Sequence, residues 1–129
     1  KEVLAVVERL FEGMRTHDTA MMRSTLLPEV RLMSVSARDG QRRVVTADVN
    51  RWIAGPGAAT EKWDERLVNP EVRVDDTMAT VWTGYTFHVG ERFSHCGYDA
   101  FQLARTAEGW KIVHIMDTQR REGCPQISG

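Results

Sequence analysis

The strongest restriction on this chain is a change of hydrophobic period: from Trp63 onward, apolar and polar residues alternate with period two for almost all of the remaining length. Three long runs, Met78 to Val89, Phe93 to Thr106 and Trp110 to Gln119, are joined by turn signals at Gly90-Glu91 and Glu108-Gly109. Connections this short admit only antiparallel neighbours, because a parallel pair needs a crossover of about a dozen residues or more. Two shorter runs precede them, Asp64 to Val68 and Glu71 to Val74, separated by a bend at Asn69-Pro70 and followed by a turn at Asp75-Asp76. A sheet of such long strands twists and coils, so one of its faces becomes concave and must be covered.

The N-terminal part supplies the cover. Val3, Val6, Val7, Leu10, Phe11 and Met14 recur every three or four residues with Glu2, Glu8, Arg9, Glu12 and Arg15 between them, which predicts a helix with one buried stripe. Asp18 is an N-cap for a second helix over Thr19 to Leu27 that Pro28 stops. Glu29 to Ser36 alternates and reads as a strand, with Asp39-Gly40 as the turn after it. Thr46 caps a third helix in which Val49, Trp52 and Ile53 share a face, Gly55-Pro56 ends it, and Gly55 to Thr60 reads as a loop bordering a pocket. The expected fold class is α+β: a cone of three N-terminal helices packed on a strongly curved, mainly antiparallel sheet, with a tapered cavity between the layers. With 129 residues the chain suits one core, hence one domain over 1–129.

Charge narrows the partners. Lys plus Arg number 17 against 18 for Asp plus Glu, a net charge of -1 that offers no attraction toward phosphate backbones, so no nucleic acid is expected. No apolar stretch approaches the roughly 20 residues that span a bilayer, so no membrane partner is expected either. The expected location is in solution, in the cytoplasm or outside after removal of a leader. Cys96 and Cys124 have no zinc-ligand spacing and are either two buried thiols or one disulfide. No phosphate-cradling glycine loop, nucleophile elbow or paired metal ligand occurs, and neither cofactor nor metal is expected.

Strand alternation sorts the candidate site residues. A two-residue turn at Glu108-Gly109 sets Leu103 opposite His114, Phe101 opposite Met116 and Asp99 opposite Thr118, and the Gly90-Glu91 turn sets Trp82 opposite Asp99 and Thr86 opposite His95. On that count His95, Asp99, Phe101, His114 and Met116 face the pocket. Asp99 is then the candidate general base and His114 its acid-base partner, because imidazole titrates near neutrality and an apolar cavity raises a carboxyl pKa. Trp52, Trp82, His95, Phe101, Met116 and Thr118 are the candidate ligand contacts. The opposite face, with Tyr85, Phe87, Val113 and Ile115, is the expected dimer contact. Asp117 with Arg120 and Arg121 reads as an ion-pair network after the last strand. A bulge anywhere, with Gly84 or Gly97 as host, would shift these faces.

The order of elements, with Phe93-Ser94-His95-Cys96-Gly97, Phe101-Gln102-Leu103, Gly109-Trp110-Lys111-Ile112 and Asp117-Thr118-Gln119-Arg120-Arg121, resembles the nuclear transport factor 2-like superfamily, and within it the small bacterial lumazine-binding-like and SnoaL-like proteins. The resemblance implies a curved sheet wrapped around helices, a conical pocket and a homodimer through the sheet's outer face. Relatives include isomerases, dehydratases, polyketide cyclases and non-catalytic assembly modules. Steroid isomerases of the superfamily use a tyrosine from the helical layer, whereas the first three helices here contain none. Two functions are therefore expected as alternatives: a pocket that binds an apolar or flat aromatic molecule, with or without proton-transfer chemistry, and an assembly module with a vestigial cavity.

Overall fold

The computed structural model describes residues 1–38 and 40–126; Asp39 of the expected Asp39-Gly40 turn lies outside the described residues. The elements are α1 (Glu2–Arg15), α2 (Thr19–Ser24), β1 (Leu26–Arg38), β2 (Gln41–Ala47), α3 (Val49–Ala58), β3 (Trp63–Asp75), β4 (Met78–Val89), β5 (Arg92–Thr106) and β6 (Gly109–Thr118). They build one six-stranded sheet in the order β2-β1-β6-β5-β4-β3. Every pair is antiparallel except β1 with β6, which is parallel because the chain travels through the whole meander before β6 returns beside β1. The α+β expectation holds: the helices lie on the concave face, with α1 packed on β3, β4 and β6.

The stripe of α1 enters the core as its spacing predicts, with Val3, Val7, Leu10, Phe11 and Met14 buried and the Phe11 ring 5.9 Å from that of Phe101 on β5. Each fully buried large apolar side chain contributes roughly 1.5–3 kcal/mol. Asp18 caps α2 by accepting a bond from the Met21 amide, as expected. The helix stops earlier than the pattern suggests, at Ser24, and Leu26 already pairs with Ile112 on β6. Pro28 thus lies inside β1, beside the register irregularity between Leu26 and Arg31. The cap of α3 is Asp48, which accepts from the Arg51 amide, not Thr46, which belongs to β2. Pro56 sits inside α3 and is buried, so the expected loop from Gly55 is helical as far as Ala58.

Three β-bulges determine which side chains of the sheet point at the helices. On β3, Asn69 and Pro70 together oppose Thr83, which joins the two expected short strands into one. On β5, Phe87 pairs with His95 but His88 pairs with Phe93, leaving Ser94 as the extra residue. On β6, Gln102 pairs with His114 but Leu103 pairs with Ile112, leaving Val113 as the extra residue. Cys96 and Cys124 form a disulfide, and an antiparallel bridge between Cys96 and Arg120 lies beside it. Among the described residues, no helix is long and apolar enough to cross a membrane.

Candidate functional site

The bulges reverse the expected faces over half of the sheet. Beyond Ser94, Asp99 lies opposite Thr83 instead of Trp82; beyond Val113, Phe101 lies opposite Ile115 and Asp99 opposite Asp117. The odd-numbered residues of β4, β5 and the end of β6 therefore point at the helices. Asp99 is 2% exposed on the concave side, whereas His114 pairs with Gln102 and lines a shallow depression on the other side with Trp82 and Met116. The expected Asp99–His114 acid-base pair is corrected accordingly: the two belong to opposite faces. The His114 ring instead bonds through Nδ1 to Gln102 Oε1 at 3.3 Å.

The corrections extend to the other candidates. Tyr85, Phe87 and Ile115, expected on a dimer face, are concave-face residues, and Tyr85 is fully buried. Val113 is the bulge residue and is half-buried. Trp82 and Met116, expected as pocket walls, are exposed, and the Trp82 ring stacks on Tyr98 with centroids 5.1 Å apart. Trp52 and Phe101 do line the concave cavity. His95 lies at the far end of the concave face against the Phe87 and Tyr85 rings, 5.0 and 5.8 Å away, and contacts Ser94 Oγ. Thr118 contributes its carbonyl, which accepts the Tyr85 hydroxyl at 2.6 Å, while its own hydroxyl accepts from the Tyr98 amide.

What the cavity gathers is acidic. Its volume is about 80 Å3, and its walls include Leu10 and Phe11 from α1, Trp52 from α3, Phe101 and Ile115 from the sheet, and the carboxyl groups of Glu65, Asp99 and Asp117. The register explains the gathering. Asp99 and Asp117 are direct cross-strand neighbours, and Glu65 and Tyr85 come from β3 and β4. The Asp99 and Glu65 carboxyls lie within reach of each other, and a hydrogen bond between them requires a proton on one of the two. Asp117 lies beside the Ser34 and Tyr85 hydroxyls and the Gln119 amide. The Gln119 amide donates to Ser34 Oγ at 3.3 Å and to Asp117 Oδ2 at 3.5 Å, in place of the expected ion pairs of Asp117 with Arg120 and Arg121. Asp99 Oδ2 and Asp117 Oδ1 are buried and have no partner among the described residues.

Like charges in an apolar cavity disfavour ionisation. Burial, with the charge of Asp117 in addition, pushes Glu65 up to about 7, against the opposing effect of the bond from Asp99. Burial and then the neighbouring Glu65 and Asp117 carboxylates raise Asp99 well above the usual carboxylate range. Asp117 is raised by burial and partly restrained by the polar groups of Ser34, Gln119 and Tyr85 beside it, and the Tyr85 hydroxyl is raised by burial and by all three acids. Both carboxyls are raised, so the Asp99–Glu65 pair retains a proton to neutral pH. The pair as a unit can thereby both give and take a proton at neutral pH.

Alternation contains a signal for this site that strand pairing alone does not reveal: Trp63, Glu65 and Leu67 alternate on β3, which places a lone carboxylate between two large apolar neighbours. No group of His, Cys, Asp and Glu among the described residues has a geometry that could hold a metal ion.

Comparison with known proteins adds a family. Residues 1–116 match the family model described as putative lumazine-binding. No curated protein matches the chain. Among solved structures, one described as a putative ketosteroid isomerase from Shewanella frigidimarina is 15% identical, with a TM-score of 0.67, over 91% of this chain and 94% of that one. A putative dehydratase of the nuclear transport factor 2-like family from Streptomyces avermitilis is 18% identical, with a TM-score of 0.70, over 92% and 94%. A protein of unknown function from Mycobacterium tuberculosis is 14% identical, with a TM-score of 0.74, over 95% and 72%. At these identities the likeness to solved structures shows the fold alone.

Proposed function

Because the chain belongs to the putative lumazine-binding family, within the nuclear transport factor 2-like superfamily, we propose that its concave cavity binds a small molecule and exchanges protons with it. One observation carries this reading: Glu65, Asp99 and Asp117 converge on a cavity otherwise walled by Leu10, Phe11, Trp52, Phe101 and Ile115. A carboxyl kept neutral beside one that titrates near 7 is an acid and a base side by side. Glu65 takes a proton from the bound molecule, and Asp99 supplies one to the atom where negative charge develops. Tyr85, tied to Thr118 and facing Asp117, holds the acids in place and shields them from water. Isomerisation, dehydration and cyclisation all reduce to these two transfers.

The test is double-bond migration in a small probe ketone, 3-cyclohexenone, read by the ultraviolet absorbance of the conjugated product. Glu65→Gln and Asp99→Asn are each expected to lower kcat by about a hundredfold or more. Turnover unaffected by both variants removes the reading. The family description makes lumazine a compound to titrate alongside, since a flat ring suits the Phe11, Trp52 and Phe101 walls.

A second reading, assembly through the convex face, is favoured by the exposure of Trp82 (52%) and Met116 (39%) beside the depression that also holds His114. Sedimentation decides it. A dimer that Trp82→Glu converts to monomer supports it, and a monomer at high protein concentration removes it.

A further inference from the structure

From the charge balance of the concave cavity we propose that its ligand carries a positively charged nitrogen: a small protonated amine with an apolar body. This rests on the reading of that cavity as the ligand site and specifies what the site selects. Three acids from three strands, Glu65, Asp99 and Asp117, converge on one small space. Asp99 is only 2% exposed, and its Oδ2, like Asp117 Oδ1, receives no N–H or hydroxyl donor from the described residues. Buried carboxyl oxygens lacking a partner are costly, and a fold retains them where a bound group completes them.

The surrounding charges leave that place to the ligand. From α1, Arg15 reaches β3, but its guanidinium is occupied by Glu12, by Asp64 Oδ1 at 3.3 Å and by the backbone carbonyl of Glu65. Arg66 on β3 pairs with Asp64. Arg51 on α3 and Arg42 and Arg43 on β2 are exposed. His95 packs its ring against Tyr85. None of these arginines is among the causes acting on Glu65, Asp99 or Asp117, whose ionisation is governed by burial, by one another and by the polar groups of Ser34, Gln119 and Tyr85. Three acids that retain one proton between Asp99 and Glu65 carry a net negative charge in an apolar wall. An ammonium there gains both the attraction and the free acceptor oxygens, while the Phe11 and Trp52 faces suit its cationic and hydrocarbon parts. A neutral ligand gains only the apolar contact and leaves the acids repelling one another.

Piperidinium and tetrahydropyran make the comparison, since the two six-membered rings differ by one ring atom and one charge. Binding to the intact, oxidised chain is measured by calorimetry at about pH 8 and about pH 5, with 3-cyclohexenone turnover recorded on the same samples. Piperidinium is expected to bind about tenfold or more tightly than tetrahydropyran at the higher pH, with the preference falling to about threefold or less at the lower pH as the acids protonate. The Glu65→Gln/Asp99→Asn double variant, which keeps the side-chain shapes, is expected to lose most of the preference; the pH dependence of the unaltered chain is a second measure that needs no variant to fold. Equal binding of the two rings at about pH 8, binding of neither, or a preference that survives the double variant overturns the proposal. Enone turnover without amine preference sinks this inference and leaves proton transfer standing. Amine preference without turnover does the reverse.

Discussion

Replacing Glu65 by Gln removes a charge that folding has to bury, and its consequence for stability can be worked out with its sign. The folded chain raises Glu65 from an ordinary 4.5 to about 7, so between those two values the folded state binds more protons than the unfolded one. Stability then falls as pH rises through that window, and the penalty is fully present above the folded value and absent below the unfolded one. The size of the rise corresponds to about 3 kcal/mol, and because the proton is shared with Asp99 the penalty belongs to the pair. Gln keeps the shape and can donate its amide to Asp99, so the variant should gain about 1–3 kcal/mol over the unaltered chain at about pH 8 and nearly nothing at about pH 4.5. Asp64 does not confuse the comparison. Burial pushes it up, but Arg66 and Arg15 outweigh burial and hold it below 3.8, so the stability it contributes is lost only as the solution becomes more acidic still. Urea unfolding of both proteins at the two pH values, with the disulfide intact, measures the double difference. A variant that is equally or more destabilised at about pH 8 than at about pH 4.5 refutes the buried-acid account.

Tyr85→Phe should cost about 1–2 kcal/mol through the lost bond to the Thr118 carbonyl, seen as a lower urea midpoint, and should lower enone turnover by about tenfold. His114→Ala should leave enone turnover within about twofold of the unaltered chain, since its ring lies on the convex face; a loss of about tenfold or more would contradict the observed strand parity. The Cys96→Ser/Cys124→Ser pair should lower stability by about 3–4 kcal/mol, the chain-entropy expectation for a sequence separation of 28, with urea midpoints as the check. Gly97→Ala should cost at least about 2 kcal/mol in the same assay, because a Cβ there would run into the backbone carbonyl of Thr118.

The parts of the fold that derive from periodicity are readable from the residues, and the parts that derive from single-residue insertions are not. The stripe of α1, the Asp18 cap and the Gly90-Glu91 turn each rest on several mutually consistent residues, and the structure has all three. Strand β2, with all its residues exposed, lacks the alternation of burial that would mark it, and it is defined only by pairing with β1. The turn before β6 lies one residue earlier than its turn signal suggests, since Thr106 pairs with Gly109 and the loop is Ala107-Glu108. That displacement alone changes no face: Leu103 still meets an even-numbered residue of β6, Ile112.

What inverts the site is chemistry invisible in a pattern. A bulge needs one residue whose side chain tolerates a kink, and here those residues are Ser94 and Val113, neither of which carries a backbone preference that marks it. The glycines that invite a bulge serve another purpose. Gly84 allows Pro125 of the C-terminal segment to lie directly on β4, and Gly97 allows Thr118 to approach β5, so both mark close packing and not extra residues. The bulges at Ser94 and Val113 flank the stretches that carry Tyr85, Asp99 and Asp117, and without the insertion at Val113 Phe101 would oppose His114 while Asp117 faced away from the helices. The insertion at Ser94 turns Asp99 and His95 toward the helices, and the one at Val113 exchanges the His114 imidazole for the Asp117 carboxylate in the cavity wall. With His114 in the place of Asp117 the wall would hold two acids and an imidazole; the one that exists concentrates three acids and one tyrosine, and its chemistry is set by their mutual repulsion. Two residues with no catalytic character of their own thus decide which catalytic groups meet.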